Sequence, residues 1–134
     1  RGLLRRETRW HWASATAAAG HGFHLSEGTY DVGNRSVENT LYAAGRVRLL
    51  DTAVEFQRGV GPDVAAEATW VITGDGVQLR FRRVDAHDGE LHFGLVDGNL
   101  DHAWGVFEGA IEVDGATYVF DNVTGVLERH YALW

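Results

Sequence analysis

The chain has 134 residues, 45% hydrophobic and 23% charged, with nineteen acidic side chains against twelve basic ones, all of them arginine. Such a length holds one domain with a packed core, the composition is globular rather than disordered, and a net charge of −7 disfavours nucleic acid and anionic bilayers as partners. The absence of cysteine excludes disulfides, thiolate metal sites and a thiol nucleophile, and the apolar runs fall short of the roughly 18 residues of a membrane span.

Residues 1–7 read as a short helix or an extended lead-in. The chain starts on arginine and contains no methionine, so it is expected to be a processed product or part of a longer polypeptide. From Thr8 the period becomes two: Trp10, Trp12 and Ser14 alternate with Arg9, His11 and Ala13, the mark of a half-buried strand. His21, Phe23 and Leu25 alternate in a second strand closed by Glu27 and Gly28, and the two form a hairpin. Turn formers fill residues 31–36. Two short strands, 39–44 and 46–50, then flank Gly45, and 53–57 alternates again around Val54 and Phe56.

Residues 59–63, which include the single proline, are a loop. Strands at 68–73 and 77–84 flank Gly74-Asp75-Gly76, a hairpin signal. Turns are expected at 85–89 and at Asp97-Gly98, with a strand at 90–96 between them. A longer strand covers 99–113, Asp114-Gly115 makes the last hairpin into 117–121, and the tail 123–134 is either a helical turn or an edge strand. Nine or ten strands joined by glycine-centred turns, with no long crossover, predict an all-β fold: an antiparallel barrel of about 8–10 strands filling 1–134, able to enclose its own side chains or one small ligand.

Within 99–109, strict alternation places Leu100, His102, Trp104, Val106 and Glu108 on one face. The apolar neighbours of His102 turn it toward the core, where an unpartnered polar group costs about 1–3 kcal/mol. It is either a satisfied core histidine or a ligand-facing acid/base, with Glu108 on the same face as its catalytic companion. Trp10, Trp12, His21, Phe23 and Trp104 line the same prospective lumen, as core packing or as a ligand-stacking wall. The histidines lack metal spacing: His21 and His24 point to opposite faces of one strand, so no metal site is assigned. Neither a serine triad nor a phosphate loop can be drawn, and no cofactor is called for.

The words 8–13 (Thr-Arg-Trp-His-Trp-Ala), 25–28 (Leu-Ser-Glu-Gly), 38–39 (Glu-Asn), 105–109 (Gly-Val-Phe-Glu-Gly), 125–128 (Gly-Val-Leu-Glu) and the ending Ala132-Leu133-Trp134 resemble, in order, the C-terminal half of the bacterial family known as domain of unknown function 2804. More distantly the chain resembles lipocalin-like (calycin) two-barrel proteins such as hydroxyneurosporene synthase-type hydratases. The resemblance implies a calycin-like barrel, a hydrophobic ligand, and a chain that forms the second half of a longer protein; it assigns no catalytic residue. The leading expectation is a soluble, cytoplasmic protein that binds a hydrophobic small molecule or lipid, in the lumen or at an interface with a second barrel. One alternative is a hydratase or isomerase acting on an isoprenoid-like substrate through His102. The other is a structural half that docks to an upstream barrel or to a second copy.

Overall fold

A computed structural model describes residues 7–28, 38–59, 69–93 and 96–133, with the backbone alone over 85–93 and 96–100. The expected features at 1–6, 31–36, 60–63 and Trp134 lie outside the described residues. Nine strands form: β1 (Glu7–Thr16), β2 (Gly22–Gly28), β3 (Thr40–Ala43), β4 (Arg46–Leu49), β5 (Val54–Arg58), β6 (Thr69–Gly74), β7 (Val77–Phe93), β8 (Val96–Val113) and β9 (Ala116–Leu133). Among the described residues there is no helix, and hence none long and apolar enough to cross a membrane.

All nine strands belong to one antiparallel sheet in the order β4-β3-β2-β1-β9-β8-β7-β6-β5. Every neighbour in that order is a hairpin partner except β1 and β9, the first and last strands, which pair from Glu7↔Leu133 to Ala15↔Gly125. The edges β4 and β5 are consecutive in sequence, and only residues 50–53 join them. Five peptide steps span at most about 17 Å, so the sheet must curl until its two edges stand close. This is the expected all-β, barrel-like architecture.

The hairpins follow local chemistry. Asp114 and Gly115 both take positive φ, 52° and 77°, as the two central residues of a tight turn require. Elsewhere the observed register corrects the expected one. Residues 85–89 are not a turn: β7 continues to Phe93, with a register shift between Arg83 and Asp85. Asp97 and Gly98 are likewise inside β8, opposite Leu133 and Ala132. Their partners on both sides hold these residues extended, and the ladder overrides their turn propensity. The tail is neither helix nor edge, because β9 is sandwiched between β1 and β8.

The core lies on the concave side of the curl. Phe23, Phe81, Phe107 and Phe120 are all fully buried. Phe107 meets Phe23 edge-on at 5.1 Å and Phe81 at 4.8 Å, and Phe23 meets Phe120 at 5.0 Å, within the preferred range for aromatic pairs. Leu25, Leu41, Ile72, Leu79 and Ile111 complete this layer. Space for the rings comes from small residues opposite them: a Cβ at Gly105 would stand 2.6 Å from the Phe81 ring.

Candidate functional site at the open end of the curl

The cluster of Phe23, Phe81, Phe107 and Phe120 ends short of the rows near the starts of β1 and β6. One register row crosses the concave face there, running Asp101 (β8), Arg129 (β9), His11 (β1) and Glu27 (β2). Cross-strand neighbours stand about 5 Å apart, so the row alternates acid, base, base, acid across four strands. Arg129 and Asp101 form an ion pair. His11 Nδ1 lies 3.6 Å from Glu27 Oε2, an ion-pair separation rather than a hydrogen bond. The His11 ring also stands 5.5 Å from Phe56 and 5.4 Å from Trp70.

Glu27 joins the two sides of the curl. Its Oε2 accepts the backbone N–H of Phe56 on β5 at 2.9 Å, although β2 and β5 share no ladder. Burial works to raise the Glu27 carboxyl, but the contact with His11, the Phe56 N–H and the His11 charge outweigh it and hold it below its ordinary value. Beside it Asn39, fully buried, accepts from Ser26 N–H at 2.7 Å and donates to the Thr52 carbonyl at 2.9 Å. Ser26 Oγ donates to Glu38 at 2.9 Å.

Facing the charged row are Arg58, Trp70 and Arg83. Arg58 lies over the Trp70 ring, 5.9 Å from its centroid, and Arg83 is exposed at the edge of the same recess. Together with Asp101, His102, Ala103, Leu127 and Arg129 these residues border a recess of about 30 Å³. That is room for one or two waters or a single oxyanion group.

The expected site residues are distributed differently. The buried phase of 101–107 is Ala103, Gly105 and Phe107, not His102, Trp104 and Val106. Counting large apolar side chains pointed to the wrong face, because the Phe81 ring lies over the inward position 105, which must be small. His102 therefore stands on the outer face, its side chain 31% exposed, with Nδ1 3.2 Å from Oε2 of Glu128, which is 16% exposed. Glu108 is exposed and six residues along the strand, about 20 Å away; the structure brings His102 to Glu128 instead. Trp10 and Trp12 share a face as expected, but it is the outer one: Ala13 and Ala15 face the core. The Trp10 ring stacks on His130 at 3.8 Å. Burial depresses the His130 pKa against the pull of Glu128, and its Nδ1 finds no hydrogen-bond partner among the described residues. Phe23 is core, and His21 packs against Phe120 with Nε2 2.8 Å from the Val119 carbonyl.

Sequence reasoning read Trp70 with the other tryptophans as core or a ligand-stacking box, and missed Arg58, Arg83, Asp101, Glu128 and Arg129 as members of any cluster. No local signal marks them, since cross-strand register alone assembles them. Among the described residues no group of three or more histidine, aspartate or glutamate side chains could hold a metal ion.

The family model described as domain of unknown function (DUF2804) matches residues 1–134. The chain belongs to the DUF2804 family. No curated protein and no solved structure matches it. In this DUF2804 chain the shared words acquire places: 25–28 and 38–39 meet where β2 faces β5, 105–109 supplies Gly105 and Phe107 to the core, and 125–128 supplies Leu127 to the recess and Glu128 to His102.

Proposed function

We propose that the chain binds a small amphipathic molecule by its acidic head, at the open end of the concave face. The observation that carries this reading is the convergence of Arg58, Arg83 and Arg129 from β5, β7 and β9 on one recess, in a chain of net charge −7. A guanidinium fork matches a carboxylate or phosphate oxygen pair. Asp101 already engages Arg129, which leaves Arg83 as the principal anchor. The recess of about 30 Å³ takes the head alone; the apolar body lies outward against Trp70 and Leu127, because the phenylalanine cluster fills the interior. The resemblance to lipocalin-like two-barrel proteins acting on isoprenoids supports an apolar body of this kind.

The test compares dodecanoate with dodecanol by titration calorimetry. The acid should bind at least tenfold more tightly than the alcohol, and Arg83→Ala should erase most of that difference, since a hydrogen bond to a charged group is worth about 1.5–3 kcal/mol. Equal affinity for acid and alcohol, or an unchanged preference in Arg83→Ala, would overturn the reading.

A further inference from the structure

The outer face carries a second feature that the recess does not use. Trp104 on β8 is 51% exposed, and its ring is held upright by an edge contact to His102 at 5.8 Å. Two strands away on β1, the half-buried Trp12 stacks at 5.5 Å on His24 of β2. Between the two indoles lies an open trough of about 500 Å³, bordered also by Ser14, Thr124 and Val126. This volume is within the range of small-molecule sites.

We propose that this trough is a carbohydrate site, taking an uncharged oligosaccharide of at least two rings. The first argument is charge. Lys, Arg, Asp and Glu make up 23% of the chain, yet none of them lines the trough, whose one titratable side chain is His24, stacked on Trp12. Glu128, in the row of Trp12, is engaged by His102. A lining with no carboxylate, lysine or arginine offers little to an ionic ligand, and the strongest recognition it offers is stacking combined with hydroxyl contacts.

The second argument is the match of surface types. Sugars present a C–H face to an aromatic ring and hydroxyls at their rim. Here two indoles supply the apolar planes, while Ser14, in the row of Trp104, and Thr124, one row further from Trp12, supply hydroxyls along the same lining. A purely greasy ligand would leave those hydroxyls unpaired at a cost of about 1–3 kcal/mol for each one buried.

Spacing sets the size of the ligand. Trp12 shares its row with Glu128 and His102, whereas Trp104 shares its row with Val126 and Ser14. The indoles are therefore staggered by two strand spacings across, about 9.5 Å, and two residues along, about 7 Å. They do not face one another as a clamp on one ring. Each serves as a platform for a different ring of the same chain, with Val126 beneath the link.

The probes are the neutral oligosaccharides cellotetraose and maltotetraose, with methyl glucoside and a tetra-galacturonate as controls, titrated by intrinsic tryptophan fluorescence and by saturation-transfer NMR. At least one neutral tetrasaccharide should saturate the signal in the millimolar range, more tightly than methyl glucoside. Trp104→Ala and Trp12→Ala should each weaken binding about tenfold, and Arg83→Ala should leave it unchanged. Trp104→Ala at an exposed position is the variant of choice if Trp12→Ala fails to fold. The proposal falls if no neutral tetrasaccharide saturates, if the tetra-galacturonate or methyl glucoside binds equally well, or if Trp104→Ala retains full affinity.

Discussion

Strand β1 and strand β5 are held in opposite ways. β1 has a ladder on each side, to β2 and to β9, and residues 10–15 are paired on both, so most of its backbone groups are used by neighbours of regular geometry. β5 has a ladder to β6 only, and its other side is tied by side chains: Glu27 takes the Phe56 N–H, and Asn39 holds the Thr52 carbonyl just before the strand begins. A ladder spreads its strength over many equivalent bonds and depends little on which residues supply them. The β2/β5 junction depends on two named side chains, and one of them can gain or lose a proton.

The largest effect separating the two arrangements should come from a proline in β1. Ala13→Pro removes a ladder hydrogen bond and crowds a fully buried position, at a cost of about 3 kcal/mol or more. Urea unfolding should show this as a loss of most of the stability; a change under about 1 kcal/mol would mean that β1 is not a central strand.

Asn39→Ala tests the junction directly. It deletes two hydrogen bonds and strands the Ser26 N–H and the Thr52 carbonyl, which should cost about 2–4 kcal/mol. Hydrogen exchange should then rise in β5 and β6 while β1 and β9 keep their protection. Uniform loss of protection would erase the distinction between the two strands.

The smallest effect is expected for Glu27→Gln, which keeps an acceptor for the Phe56 N–H but removes the charge. At neutral pH it should cost about 1 kcal/mol. Its signature is pH dependence. The folded carboxyl is held below its ordinary value of 4.5, so its contribution is complete above that value and is lost as pH falls through the lower, folded one. Stability of the wild type should therefore decline more steeply than that of Glu27→Gln on acidification from pH 7 to about pH 3. Parallel profiles would show that the carboxylate contributes no charge-dependent stability.

The parts of this fold legible in the sequence are those carried by neighbours along the chain. Period-two alternation located β1 to β6, and Asp114-Gly115 marked a real turn because nothing outside it competes for those residues. Asp97-Gly98 has the same composition, yet lies within β8 because β7 and β9 bind it from both sides. The orientation of 101–107 was illegible for a related reason. Trp104 and Val106 look like core until the ring of Phe81, distant in sequence, is known to fill the space over Gly105, and that of Phe107 the space over Gly125. The recess was invisible altogether, since Arg58, Arg83 and Arg129 are unremarkable until register brings them together. Glu27 and Asn39 were noticed only as family words; their joint task at β5 appears once the sheet is curled.

The pairing of β1 with β9 also has a kinetic meaning. Thr8 and Ala132 are neighbours in space although well over a hundred residues of chain separate them, so the centre of this sheet can close only after the other eight strands have been made. Without β9 the strand order leaves β1 to β4 and β5 to β8 with no ladder between them, and β1 and β8 each with one unpaired side. Such long-range pairing slows folding, and during that interval the free edges of β1 and β8 are the places where two nascent chains would exchange strands or aggregate.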